Sequence, residues 1–373
     1  MTNLSCESAA LRVDAAPALA ANRARPKRQV LLVGNFLSAS LGIRAVCEDL
    51  ALRLSASEWR VLTSSRKRPP LRRLLDMLSA VWNGRASYAV AHVDVFSGRA
   101  FLWAETVCAA LRLLRKPYVL TLHGGNLPVF ARRSPRRVRQ LLQSAAAVTT
   151  PSRYLLDAMS PYRPDLRLLP NPIQLEAYPW RVRRRPRPHL VWMRSFHSIY
   201  NPGLAPRVLA RIAPEFPESR LIMVGPDRGD GSREGTGRVV ESLGLSARVS
   251  MPGAVEKSSV PAWLERGDIF LNTANIDNTP VGVLEALACG LCVVSTDVGG
   301  IPYLLEHERD ALLVAAEDPE AMSRAVRRIL TEPELAERLS SSARRKAEQF
   351  DWQVILPQWE ALLSSVAATH ADA

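Results

Sequence analysis

Two doubly wound α/β domains, set face to face across a cleft, are predicted by three features of this 373-residue chain. Apolar, β-rich runs alternate with helical patterns, as parallel sheets require and hairpins do not. The alternation starts twice, once after residue 28 and again after residue 188. Between the two series lies Arg181-Val182-Arg183-Arg184-Arg185-Pro186-Arg187-Pro188, residues 181–188. Proline there breaks both element types and like charges stay solvated, so this run reads as an interdomain linker. A chain of this length also exceeds what one hydrophobic core usually serves.

Residues 1–28 are rich in Ala and Arg, show no apolar period, and are expected to form a flexible tail. The first domain, 29–180, has strand-like runs at 29–33, 59–62, 88–93, 118–122, 147–149 and 166–169. Helical patterns at 43–54, 71–81 and 101–114 separate several of them. The second domain, 189–350, has strand-like runs at 189–193, 221–224, 248–250, 269–271, 292–295 and 311–314. Helices are expected at 204–212, 319–330 and 333–348, with a terminal helix within 351–373. Ligands of doubly wound folds bind at the C-terminal ends of the strands, so the loops there are where chemistry is sought.

Composition narrows the function classes. With 47% hydrophobic and 23% charged residues, the chain is not a disordered one. No run approaches the roughly 18 apolar residues that span a bilayer. The N-terminus lacks a continuous apolar segment of the secretory kind, and five cysteines cannot build a disulfide framework. A reduced, cytoplasmic protein is expected. Cys289 and Cys292 stand alone as a C-x-x-C and are read as packing residues.

Charge is distributed unevenly. Residues 1–180 carry 26 basic and 11 acidic side chains, whereas 189–373 carry 18 and 25. The basic residues are 44 Arg and 5 Lys. Such a first half suits an anionic acceptor or peripheral contact with an anionic membrane, at the inner face of the cell membrane, with an arginine-rich codon bias decorating a solvated surface as the competing explanation. Nucleic acid is not expected as a partner, because no zinc-finger spacing or RNA-binding aromatic signature accompanies the arginines.

The most informative stretch is Asn275-Ile276-Asp277-Asn278-Thr279-Pro280-Val281-Gly282-Val283-Leu284-Glu285. Thr279 is a good N-cap and Pro280 suits the first helical position, so a helix is expected from there to about Gly290. The N–H groups of Val281, Gly282 and Val283 would then point out of its start, where a diphosphate is attracted. Gly282 would let the anion approach the backbone. Glu285, one to two turns inward, can accept bonds from vicinal ribose hydroxyls. Asp277 lies on the preceding loop. An ordinary capped helix with solvated carboxylates is the competing explanation.

This segment resembles the E-x7-E region of glycosyltransferase family 4, the retaining sugar-nucleotide transferases of GT-B fold, also grouped as glycosyl transferases group 1. The next strand and turn, Val293-Val294-Ser295-Thr296-Asp297-Val298-Gly299-Gly300, is similar to that family's strand and Gly-Gly turn. The resemblance implies two Rossmann-like domains, Glu285 on the donor ribose, and Asp277 in place of the first glutamate beside the donor sugar. Asp is one methylene shorter than Glu. His123, in Thr121-Leu122-His123-Gly124-Gly125, resembles the histidine that approaches the donor sugar from the first domain.

Gly34, in Gly34-Asn35-Phe36-Leu37-Ser38, resembles the family's glycine-containing loop near phosphates and acceptor. It lacks the G-x-G-x-x-G spacing of a dinucleotide dehydrogenase. Arg194 matches an arginine that grips the diphosphate, but Asn201 stands where a lysine is expected. Gly225, in Met223-Val224-Gly225-Pro226-Asp227, resembles the turn near the nucleotide base. His197 is read as structural. The resemblance spans about residues 29–366 and implies that the helix around Trp352 crosses back onto the first domain.

The sequence therefore predicts a retaining transferase that moves a sugar from a UDP- or GDP-linked donor to a saccharide or lipid-linked acceptor. Bacterial polysaccharide or glycolipid assembly is the expected setting. His123, Asp277 and Arg194 are the expected catalytic residues, and the donor is a substrate, so no cofactor is expected. No Asp-x-Asp occurs, and no metal is expected. Two alternatives remain: a GT-B-like sugar-nucleotide epimerase, and a non-catalytic basic membrane-binding scaffold of the same fold.

Overall fold

The computed structural model describes residues 28–38 and 45–369. The expected tail at 1–27 and the tip of the glycine-containing loop, 39–44, lie outside the described residues, as do residues 370–373. Arg28, assigned to that tail, instead opens the first strand.

Two parallel six-stranded sheets form, each flanked by helices. The first contains β1 (Arg28–Val33), β2 (Trp59–Ser64), β3 (Val90–Val95), β4 (Tyr118–Leu122), β5 (Ala147–Thr150) and β6 (Arg167–Leu168), in the order β2-β1-β3-β4-β5-β6. The second contains β7 (His189–Met193), β8 (Arg220–Val224), β9 (Val249–Gly253), β10 (Ile269–Asn272), β11 (Cys292–Thr296) and β12 (Ala311–Val314). Its order is β12-β11-β10-β7-β8-β9. Central strands such as β4, β10 and β11 are buried throughout because helices cover both faces of each sheet.

In each sheet the winding direction reverses between two strands. That happens between β1 and β3, and between β7 and β10. Connections leave such a pair toward opposite faces, which opens a crevice at the strand ends. Gly34 and Phe96 follow one pair closely, Arg194 and Thr273 the other. Fold topology alone thus places both candidate loops.

The chain leaves the first domain earlier than the composition indicates. Ile173 and Tyr178 belong to the buried cluster of the second domain, together with Val191, Phe270 and Leu284. The return passes beside the exit, since the Ile173 N–H donates to the Phe350 carbonyl (2.8 Å) and the Trp352 N–H to the Ile173 carbonyl (3.1 Å). The helix Trp352–Thr369 then packs against the first sheet, with Ile355, Trp359 and Leu363 in one cluster with Val30, Leu32 and Val119.

The 181–188 run is not a solvated tether. Arg183 is only 1% exposed, and its guanidinium donates to the carbonyls of Arg181 (2.8 Å) and Cys289. Asp268, also buried, receives Arg181 and Arg187, with Arg183 3.5 Å away. One buried carboxylate brings three arginines onto the second domain. Like charges converge here because their counter-charge is distant in sequence.

Candidate active site

Arg194 begins the loop after β7. Its N–H bonds back to the Val224 carbonyl (3.0 Å), which ties that loop to the end of β8. Gly225 follows at once, and a Cβ there would lie 1.8 Å from the Arg194 carbonyl oxygen. Only glycine permits that approach. The Arg194 guanidinium lies 4.4 Å from the centre of the Tyr200 ring and meets both Asp277 oxygens, at 2.6 and 2.5 Å. Burial disfavours its charge, but Asp277, joined by Tyr200 and Glu285, raises its pKa on balance.

The loop carrying Asp277 is seated on the Gly-Gly turn. The Gly300 N–H donates to the Asp277 carbonyl (3.0 Å), and Cβ atoms at Gly299 and Gly300 would lie 2.1 and 1.9 Å from the carbonyls of Asp277 and Asn278. A helix follows at Val281–Ala288, ending as expected before Gly290, which is left-handed at φ +68°. Its start departs from expectation. Pro280 is the N-cap and Thr279 does not cap, because its hydroxyl reaches across the domains to the Pro151 carbonyl (3.3 Å). Val283 does not offer a free N–H either, since that group donates to the Pro280 carbonyl (3.1 Å). Val281 and Gly282, at the first two helical positions, have no intrahelical acceptor and provide the anion-attracting end.

Glu285 is buried one turn inward. It accepts from the Tyr178 hydroxyl (2.8 Å) and from Lys257. Burial, and then the Glu285 charge, push the Tyr178 pKa up, so this phenol stays protonated and donates. Lys257 has no counterpart in the expected set. A signal did exist: it sits just beyond β9, hence at the ligand edge of the sheet. Asn201, the expected lysine position, has φ +44°, a left-handed turn that favours Asn over Lys, and does not line the cleft. Lys257, by contrast, does line the cleft.

On the first domain, His123 Nε2 lies 2.9 Å from Asp94 Oδ1, and its ring stacks on Phe96. Burial would raise the Asp94 carboxyl, but His123 holds it below the usual range. Gly34 serves this carboxylate: a Cβ there would lie 2.4 Å from Asp94 Oδ2. It lines a small pocket of about 110 Å³ with Arg73, Phe96 and Trp103, away from the expected phosphates. The Glu48 carboxylate ties Ser38 to Ala45 on either side of the loop tip.

Between the domains lies a cleft of about 1060 Å³. Its walls include Arg194, Gly225, Val281, Gly282 and Glu285 of the expected set, plus Lys257. Gly34, His123, Asn201, Asp277, Thr279 and Val283 are not on its walls. His123 and Asp277 are linked otherwise, because Gly125 packs against Ile276 and the Asp277 backbone. Ser152 with Asn278, and Asn171 with Thr279, bond across the same seam. Among the described residues, no group of three or more His, Cys, Asp or Glu could hold a metal ion. Cys289 and Cys292 are buried thiols, both pushed up to about 12 by burial.

Two family models match this chain side by side. Residues 42–177 match Glycosyltransferase Family 4, and residues 188–346 match Glycosyl transferases group 1. The chain belongs to glycosyltransferase family 4. Solved GT-B structures share its fold. Sucrose-phosphate synthase from Thermosynechococcus elongatus aligns with a TM-score of 0.76 at 18% identity, over 92% of this chain and 100% of that one. An Anabaena HepE structure in complex with UDP and glucose aligns with a TM-score of 0.71 at 17% identity, over 91% and 100%. Curated relatives match over shorter stretches. In Arabidopsis thaliana, one component of phosphatidylinositol N-acetylglucosaminyltransferase is 35% identical over 36% of this chain and 29% of its own. A D-inositol 3-phosphate glycosyltransferase of Streptomyces coelicolor is 28% identical over 46% of this chain and 36% of its own. The matches span about a third of those relatives' own length. In this family 4 member the second-domain side carries two ion pairs, Arg194–Asp277 and Lys257–Glu285, of which Arg194, Lys257 and Glu285 line the cleft.

Proposed function

We propose that this chain transfers a sugar, with retention of configuration, from a UDP- or GDP-linked donor to a saccharide or lipid-linked acceptor. The observation that carries this reading is the convergence of Arg194, Lys257 and the Val281–Gly282 helix start on one wall of the interdomain cleft. These groups match a diphosphate in charge and geometry, and they act where charge grows as the sugar departs. Glu285, held in place by Tyr178, takes the ribose.

The sugar lies toward the seam where the His123 loop meets Asp277. There the bond from C1 to the phosphate oxygen breaks while the acceptor oxygen bonds to C1 on the same face. The acceptor proton passes to the departing phosphate oxygen, so charge balances without a covalent enzyme intermediate. No metal takes part. The arginine excess of the first domain holds the protein at an anionic membrane face, within bacterial polysaccharide or glycolipid assembly.

A panel of UDP-, GDP- and ADP-sugars, scored for acceptor-dependent nucleotide release with and without EDTA, tests this. Release that needs an acceptor and survives EDTA supports the reading. An epimerised donor without nucleotide release, or no binding of any donor by calorimetry, overturns it.

A further inference from the structure

We propose that the helix Pro70–Asn83 is a membrane-docking element whose outer face inserts into an anionic lipid surface. This deepens the membrane part of the proposed function and does not depend on sugar transfer. The helix has one broad apolar face. Met77 and Val81, on one side of it, are buried against the first sheet. Leu71, Leu75 and Trp82, on its other side, are 78%, 66% and 52% exposed. At about 100° per residue, these three positions fall within roughly 40° of one another. Exposed large apolar residues are common singly, but a stripe of three on one helix face marks an interaction surface.

The surroundings indicate the occupant. Arg66, Lys67, Arg68, Arg72 and Arg85 are all exposed around the stripe. Arg85 stacks on Trp82, 4.8 Å from the ring centre. The only acid between residues 66 and 85 is Asp76, whose carboxylate accepts from the Ser64 hydroxyl (3.2 Å). A basic rim around an apolar centre with a terminal tryptophan matches a bilayer interface, where headgroup phosphates meet acyl chains. A nucleic acid would satisfy the cations but leave the leucines in water. A second copy docking through its own first domain would set like charges against each other.

The helix is also well placed. It starts at the C-terminal end of β2, and Arg73 on its inner side donates to the Gly34 carbonyl (3.0 Å). Docking through the outer face would bring lipid beside the small first-domain pocket lined by Arg73, Asp94, Phe96 and Trp103. A lipid-linked acceptor, on the proposed reading, would enter there.

The test is co-sedimentation of the full chain with vesicles of phosphatidylcholine, with and without 30% phosphatidylglycerol, at low and high salt. The parent is expected to bind anionic vesicles at least tenfold more tightly than neutral ones, with binding weakened by salt. Leu71→Ser/Leu75→Ser should lose at least tenfold in binding while keeping the parental melting temperature, since both positions are solvent-facing. Leu113→Ser, exposed elsewhere, should bind like the parent. Equal binding by the double variant and the parent overturns the proposal. So does a parent that ignores lipid charge, or a double variant that turns a dimeric parent into a monomer without losing vesicle binding. Because vesicle binding needs no donor, failure here leaves the transferase reading standing, and failure of transfer leaves this one.

Discussion

Arg194 holds both oxygens of Asp277 on a single guanidinium nitrogen, at 2.6 and 2.5 Å. The pair joins β7 to the loop after β10, the two strands between which the second sheet reverses. It also keeps the site near neutral until an anion arrives. On the proposed function, an incoming diphosphate would compete with Asp277 for the cation, which would couple donor binding to the position of Asp277.

Removing the arginine should therefore damage turnover more than folding. Loss of a cation at developing charge costs about 2–4 kcal/mol, so Arg194→Ala should lower kcat roughly 30- to 1000-fold. Asp277→Asn frees the guanidinium and should bind nucleoside diphosphate at least as tightly as the parent, while turnover still falls. Calorimetry with the nucleoside diphosphate, beside nucleotide-release kinetics, reads both effects. Parental kcat and KM in Arg194→Ala would place the phosphate site elsewhere.

Lys257 and Glu285 form the second pair, and their variants should separate. Lys257→Met removes the proposed diphosphate contact and leaves Glu285 with Tyr178, so donor affinity should fall about tenfold or more. Glu285→Gln should chiefly raise donor KM, because ribose is held alike in ground and transition states. Asn201→Lys should not rescue Lys257→Met, since position 201 lies off the cleft wall. A rescue would show that the loop after β7 reaches the phosphates after all.

Asp268 should be the most sensitive stability position outside the site. Burial alone would raise its carboxyl, but hydrogen bonds from Arg187 and the nearby Arg181 hold it below the usual range. Asp268→Asn keeps the shape and strips the counter-charge from buried Arg183. Breaking such a buried pair costs about 3–5 kcal/mol. The urea midpoint measures this, and a loss below about 1 kcal/mol would contradict the arrangement.

His92 should make the fold sensitive to mild acid. Burial lowers its pKa from 6.5 to about 4, against the raising effect of Asp94. Between those values the unfolded chain takes up a proton that the folded protein refuses, so stability falls as pH drops from 6.5 toward 4. The slope contributed is at most about 1.4 kcal/mol per pH unit. Asp94 acts in a different window: its carboxyl is lowered, so its contribution persists above 3.8 and is lost only below. His189, lowered by burial and by Arg187, adds to the His92 effect and remains in any His92 variant. His92→Gln should flatten the dependence of the denaturation midpoint on pH between 6.5 and 4.5. Parallel slopes for variant and parent would clear His92.

What could be read along the chain was whatever depends on near neighbours. Alternating strands and helices are local periodicities, and from them came the two sheets, while the family resemblance came from short motifs such as Asp277 to Glu285 and Gly299-Gly300. The helix at Val281–Ala288 and the turn at Gly299–Gly300 were legible for the same reason, since proline and glycine set backbone angles where they stand. Pairing was not legible, because it depends on which segments the parallel crossovers bring together. Asp268 meets Arg187 across 81 positions, Lys257 meets Glu285 across 28, and Asp94 meets His123 across 29. Composition therefore marked residues 181–188 as solvated, while a distant carboxylate draws Arg183 inside. The family resemblance likewise pointed to position 201 for a lysine, where a left-handed turn selects asparagine, while Lys257 reaches the cleft wall from another loop. Thr279 reads as a cap only until the first domain draws its hydroxyl away, as a donor to the Pro151 carbonyl. Local sequence sets backbone geometry, but a charge or hydroxyl settles with whichever partner the tertiary fold places within about 3 Å.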